Sequence, residues 1–203
     1  MSTRGQDFTK TRHSKPYAAI SPSRPELSQA GKTVLVTGGT AGIGYAIARG
    51  FLRGGAAKVI ILGRTPERAT AAATALRLEA QEANQGPAGE VVGLAVDIAD
   101  SAAVESLWAG FGGDDSNKNG TDGIDVLVLN AAGVSQQKPV LELGTKGIWR
   151  DYEVNVRAQL DMTERFYKQS NKTTDRPLVR PIYVAHSIRF RSLHYLVASS
   201  LAA

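Results

Sequence analysis

Residues 33–44 read TVLVTGGTAGIG, and this stretch decides the fold. TVLVT (33–37) is a β-branched and aliphatic run of strand length with no polar alternation, the pattern of a strand covered on both faces. The glycine-rich turn after it opens directly into a helix. On that helix Ile43, Ile47, Gly50 and Phe51 share one face, and Gly54-Gly55 ends it. Gly38, Gly42 and Gly44 would let the backbone turn tightly, approach a pyrophosphate and seat the helix against the sheet, while the helix N-terminus supplies unpaired N–H groups and positive potential. Taken alone, the turn has two readings: a phosphate cradle, or a strand-to-helix turn that holds no ligand.

Outward from this stretch the alternation repeats. KVIIL (58–62) reads as a second strand. Thr65 then caps a helix whose first position is Pro66 and whose alanine-rich run continues to Gln85, with Gly86 as its stop. VVGLAV (91–96) is a third strand. Asp100 or Ser101 opens a helix with Val104, Leu107, Trp108 and Phe111 on one face, and GGDDSNKNGTDG (112–123) is an exposed loop. IDVLVL (124–129) is a fourth strand. A long helix is predicted from about Thr145 to Gln169, its inner stripe formed by Ile148, Tyr152, Val156, Gln159 or Leu160, Thr163 and Phe166. PIYVA (181–185) is a fifth, shorter strand. Five strands alternating with helices predict an α/β fold, a doubly wound parallel sheet between two helical layers.

With 203 residues the chain has the length of one sizeable domain. That domain is placed at 31–203. Residues 1–30, rich in Ser, Thr, Arg and Pro, are read as an extended arm, and the part from about 175 onward is atypical. The arm's composition also suits an organelle transit peptide, but Pro16, Pro22 and Pro25 break the amphipathic helix such a signal needs. There is no cysteine, which excludes disulfide scaffolds, thiolate zinc sites and cysteine nucleophiles together, and leaves the cytoplasm as the default compartment. No metal-ligand spacing is present. No apolar stretch approaches the ~20 residues of a membrane span, so a soluble protein without a membrane partner is expected. The net charge of +5 belongs to the ends: residues 1–32 and 171–203 each carry +4, and the middle carries −3. Scattered terminal cations are not the basic stripe of a nucleic-acid surface, and none is expected as a partner.

Four motifs in order resemble those of the short-chain dehydrogenase/reductase family. Its TGxxxGIG turn is matched by Thr37, Gly38, Gly42, Ile43 and Gly44. Its aspartate after the third strand resembles Asp97 in VDI (96–98), its NAG-type turn resembles Asn130-Ala131-Ala132-Gly133, and the asparagine of its central helix resembles Asn155 in VNV (154–156). The segment PYAAISPSRPEL (16–27) is similar to the N-terminal arms of fungal members. The resemblance implies an NAD(P)-binding Rossmann sheet of order 3-2-1-4-5, without the last strands of the family, and an oxidoreductase acting on a small-molecule carbonyl or secondary alcohol. It also implies a cofactor site at Gly38, Thr40, Gly42, Ile43, Gly44, Arg64, Asp97, Ile98, Asn130, Ala131 and Gly133, with Asp97 on the adenine ring. The family's long helices commonly pair between subunits, so a homo-oligomer is a possible partner state.

Arg64 follows the second strand about 20 residues past the glycine turn, where an NAD site carries Asp or Glu on the ribose 2′-hydroxyl. No acid occupies 62–65. A guanidinium there can grip a 2′-phosphate with two prongs, which favours NADP(H) over NAD; the other reading is an arginine at a solvated strand end.

The family's catalytic set maps onto Asn155, Ser187 and Tyr195. Its tyrosine gives a proton to the carbonyl oxygen, and a lysine four residues later lowers the phenol pKa from about 10 toward neutrality. Here Ser199 stands four residues after Tyr195, and no lysine follows Lys172. Arg191 precedes Tyr195 by four residues and could lend charge in its place. Two expectations therefore stand side by side: an NADP(H)-dependent oxidoreductase, or a catalytically defective nucleotide-binding member of the family.

Overall fold

The computed structural model describes residues 17–83, 89–111, 123–133, 138–169 and 182–183. Five parallel strands, β1 (Thr33–Thr37), β2 (Lys58–Gly63), β3 (Glu90–Ala95), β4 (Val126–Leu129) and β5 (Ile182–Tyr183), form one sheet in the order β3-β2-β1-β4-β5. Helices α1 (Gly42–Arg53), α2 (Pro66–Ala83), α3 (Ser101–Ala109), α4 (Val140–Tyr152) and α5 (Ala158–Tyr167) accompany it.

The period of two along each strand divides the core between the two faces. Val34 and Val36 of β1 join Val59 and Ile61 of β2 beneath Ala48 and Leu52 of α1 and Leu76 of α2. Leu35, Ile60, Leu62 and Leu127 point the other way, against Val104 and Leu107 of α3 and Met162 and Phe166 of α5. Every one of these side chains is buried, and each large one is worth roughly 1.5–3 kcal/mol of transfer free energy. The uninterrupted apolar strands thus produce the expected three-layer αβα sandwich.

Several boundaries differ from the sequence reading: β2 runs on to Gly63, β3 ends at Ala95, and of the strand read at 181–185 only Ile182 and Tyr183 lie among the described residues. Three further differences have a local reason. The fourth strand starts at Val126 because the groups before it are already engaged. Thr33 N donates to Asp125 Oδ2 at 2.7 Å, and the Gln169 side chain takes both Ile124 N (2.6 Å) and Ile124 O (3.2 Å). The third strand begins one residue early, at Glu90, whose carboxylate pairs with Lys58 at 3.2 Å. The predicted helix over 145–169 begins instead at Val140, breaks at Gly144 (φ +68°), and is interrupted by a π-turn at Glu153–Arg157 before α5.

The inner stripe of that helix is also corrected. Tyr152, Val156 and Leu160 face outward, while Ala158, Met162 and Phe166 are completely buried. Of the predicted stripe Phe166 does lie inward, with small Ala158 and Met162 beside it, while the bulky Tyr152, Val156 and Leu160 lie on the exposed side. Before β1, single 3₁₀ turns occupy Ala18–Ile20 and Pro25–Leu27. Gln29 N then donates to Gly54 O at 2.7 Å, and Ala30 bridges Ala56.

Candidate functional site

The carboxyl ends of β1 and β4 lie side by side, the place where an open α/β sheet forms its crevice. One hydroxyl fastens them. Thr37 Oγ1 donates to Val128 O (3.3 Å) and accepts from Asn130 N (2.9 Å) and Ala131 N (3.0 Å). Asn130 Nδ2 returns bonds to Thr37 O (3.0 Å) and Gly38 O (3.1 Å), leaving buried Asn130 Oδ1 without a partner. The glycine turn packs onto this junction so closely that a Cβ at Gly44 would stand 2.3 Å from Gly38 O and 2.4 Å from Asn130 Nδ2. At Gly42 (φ +56°) the need is conformational, and a Cβ there would enter open space.

No side chain caps α1, because its N-cap residue is Ala41. The unpaired N–H groups of its first turn and the positive end of its dipole are therefore available to an anion. Beyond the end of β2 stand Arg64 and, in the first turn of α2, Arg68, both exposed and both without an ion-pair partner among the described residues. Across the site, Asp97 Oδ1 accepts from Ala99 N (3.0 Å), and Ile98 is buried in the core beneath the loop. On the far side, Asn155 holds Gly133 at both ends of its peptide unit: Gly133 N donates to Oδ1 (2.9 Å), and Nδ2 donates to Gly133 O (2.7 Å).

These groups enclose a cleft of about 1390 Å³. Gly38, Thr40, Gly42, Ile43, Arg64, Asp97, Ile98, Asn130, Ala131 and Gly133 all line it. Gly44 does not; it lies beneath the turn, against Gly38 and Asn130. Asn155 is tied to the cleft through Gly133. Ser187 and Tyr195, and with them Arg191 and Ser199, lie outside the described residues. Among the described residues no group of three His, Cys, Asp or Glu is placed to hold a metal ion, and no helix is long and apolar enough to cross a membrane.

Sequence reading missed one cleft residue, Arg68, and the roles of two residues behind the cleft, Gln159 and Arg157. Arg68 was legible in principle, since it stands in the first turn of the helix that Pro66 opens directly after Arg64. Gln159 donates to Ala131 O (2.7 Å), and Arg157 binds the loop after β3; nothing in their neighbourhood in sequence announces contacts so distant along the chain. The uncapped helix end and the open space at Gly42 suit a pyrophosphate, the group that NAD and NADP share, and the two unpaired guanidinium groups beyond β2 suit a further anionic group.

A family model described as short chain dehydrogenase matches residues 32–175. The chain is 34% identical over 158 residues to the short chain dehydrogenase/reductase AacuD of Aspergillus aculeatus, covering 78% of this chain and 50% of that protein. A short chain dehydrogenase/reductase of Claviceps purpurea is 33% identical over 147 residues, covering 72% and 44%. The chain thus spans about half the length of these relatives. Among solved structures, the Pseudomonas aeruginosa RhlG/NADP active-site complex superposes with a TM-score of 0.59 at 26% identity, over 78% of this chain and 54% of that one. A metagenomic short-chain oxidoreductase in complex with NADP gives a TM-score of 0.56 at 27% identity, over 68% and 55%.

Proposed function

The chain belongs to the short chain dehydrogenase family, and from that premise we propose that it binds NADP(H) in preference to NAD(H) and serves the interconversion of a small carbonyl compound and its secondary alcohol. The observation that carries the reading is the pairing of Arg64 and Arg68 at the mouth of the cleft, with no carboxylate in Leu62–Thr65 to receive a ribose 2′-hydroxyl. In this reading the first-turn amides of α1 hold the pyrophosphate, Arg64 and Arg68 hold the 2′-phosphate, and Asp97 with Ile98 receives the adenine. The glycines at 38, 42 and 44 keep the backbone close to the phosphates, and Thr40, Ile43, Asn130, Ala131 and Gly133 complete the wall. When bound, the cofactor supplies hydride from its nicotinamide ring.

Asn155, Ser187 and Tyr195 are proposed as the catalytic residues: Tyr195 as proton donor, Ser187 as hydrogen-bond partner of the carbonyl, and Asn155 as the group that fixes the Gly133 turn. A second reading has a specific observation behind it. Ser199 stands where a lysine would lower the Tyr195 pKa, which favours a member that binds cofactor with little turnover.

Cofactor choice is tested by measuring dissociation constants for NADPH and NADH on wild type and Arg64→Glu. Wild type should bind NADPH more tightly, and the carboxylate should reverse the order because it would face the 2′-phosphate. Equal constants for both cofactors, unchanged by the substitution, would remove the basis for the preference.

A further inference from the structure

The loop after β3 and the π-turn before α5 are far apart in sequence, yet one guanidinium spans them. Arg157, the last residue of the π-turn, donates through Nη1 to Ser101 Oγ at 2.7 Å, through Nη2 to Ala99 O, and through Nε to the Glu153 carboxylate. The partners belong to the first position of α3, the loop itself and the start of the π-turn. Each end of this brace reaches the cleft. On one side Val96, Asp97, Ile98 and Ala99 line it. On the other, Asn155 lies two residues from Arg157 on the same turn and holds Gly133 by N and O, while Gly133 packs against Val154.

The π-turn joins the brace to Asn155. Ala158 N donates to Glu153 O, a bond that closes one residue more than an α-turn, and such single π-turns inside helices are frequent at functional sites. Glu153 and Arg157, four apart, form an ion pair across that same turn. Whatever fixes Ala99 and Ser101 therefore fixes the guanidinium, and the guanidinium fixes the turn on which Asn155 sits.

We propose that Arg157 is a positioning residue that couples the two ends of the nucleotide site: occupation of the Asp97–Ile98 end orders the Gly133 turn through Arg157 and Asn155. This rests on the reading of the cleft as a nucleotide site with the adenine at Asp97–Ile98. The coupling should follow from the geometry of a planar fork with three partners, which a lysine cannot reproduce.

The test uses the full chain and adenosine 2′,5′-bisphosphate, the adenosine part of NADP without its nicotinamide half. Hydrogen exchange is followed in segments 97–103 and 126–133 with and without the nucleotide. In wild type both segments should slow on binding. In Arg157→Met only 97–103 should slow, and the nucleotide affinity should drop by roughly five- to tenfold, in the range of ordinary coupling between sites. Arg157→Lys should recover less than half of the lost protection at 126–133. Ser101→Ala removes one of the two contacts that tie Arg157 to the loop side and leaves Ala99 O, so it should weaken the response at 126–133 in part, even if Arg157→Met does not fold. Equal slowing of both segments in Arg157→Met and Ser101→Ala would overturn the coupling, as would a wild type that binds the nucleotide without any change at 126–133. A wild type that does not bind the nucleotide would overturn the nucleotide reading itself, and the coupling with it.

Discussion

Thr37 and Asn130 hold each other at the end of the sheet: the threonine hydroxyl accepts from the Asn130 amide at 2.9 Å, and the Asn130 side chain donates back to Thr37 O at 3.0 Å. Both residues are buried, so neither set of groups has water as a substitute. Thr37→Val keeps the shape and removes the acceptor of two backbone N–H groups. The expected cost is about 1–3 kcal/mol, each kilocalorie lowering Tm by roughly 2–4 °C for a chain of this size. Thermal melts of Thr37→Val and Thr37→Ser check it. The serine variant, which keeps the hydroxyl, should recover most of the loss, and a valine variant as stable as wild type would mean that these bonds contribute nothing.

The glycines of the turn are predicted to fail in different ways. An alanine at Gly44 would push its Cβ to 2.3 Å from Gly38 O, a contact with backbone that has no flexible end to give way. An alanine at Gly42 meets nothing within 4 Å and suffers only the left-handed backbone, about 1–2 kcal/mol. Gly44→Ala should therefore unfold at the lower temperature, although alanine is the better helix former. Gly42→Ala should keep its fold and lose nucleotide affinity, because the methyl group enters the space proposed for phosphate. Melting curves and cofactor titrations on the two variants separate these effects.

A third prediction concerns alkaline pH. Burial, and next the hydrogen bond to Glu79 at 2.8 Å, push the Tyr45 phenol up to about 12. The same bond, with help from Arg49 at 3.4 Å, holds the Glu79 carboxyl below its usual range. Since the folded phenol binds its proton more tightly than the unfolded one, its contribution to stability is complete below pH ~10 and is lost between about 10 and 12. Glu79 has the opposite sign: its contribution is present above the ordinary carboxylate range and disappears as pH falls through its lowered value. In an ultraviolet titration of phenolate, one of the six tyrosines should ionise late, and Tyr45→Phe should delete that component. A titration with the same late step in the variant would assign it elsewhere.

The layered sheet was legible because parallel strands covered on both faces carry uninterrupted apolar runs, and residues 34–36, 59–62 and 126–129 are such runs, with polar groups such as Lys58 and Glu90 only at strand ends. The glycine turn was legible because close approach leaves no room for a Cβ. The helix after Asn130 was not, because its bulk misleads. Tyr152, Val156 and Leu160 are large, recur at helical spacing and look inward by pattern, yet each is about half exposed or more. The face toward the sheet is filled by Ala158, Met162 and Phe166, and the π-turn that separates α4 from α5 leaves no mark in periodicity. Side-chain braces such as Arg157 to Ser101 or Gln169 to Ile124 depend on the folded arrangement of distant segments, so local sequence could not announce them.

The final prediction is that this chain reduces carbonyls slowly even where it binds NADPH well. Ser199, four residues past Tyr195, carries no charge, so nothing at that spacing draws the phenol from about 10 toward the working pH. Loss of efficient proton transfer costs typically ~10²–10⁴-fold in rate. The cation that would hold the nicotinamide ribose at that spacing is missing as well, which loosens the alignment that gives a positioned reactant its advantage. The measurement is NADPH oxidation by the 203-residue protein with a panel of ketones and quinones, beside Ser199→Lys and Tyr195→Phe. Slow turnover that rises in Ser199→Lys is the expected outcome, and it would identify Tyr195 as the acid. Ordinary enzymatic rates in wild type, lost in Tyr195→Phe and in Arg191→Ala, would overturn the prediction and give Arg191 the part of the lysine.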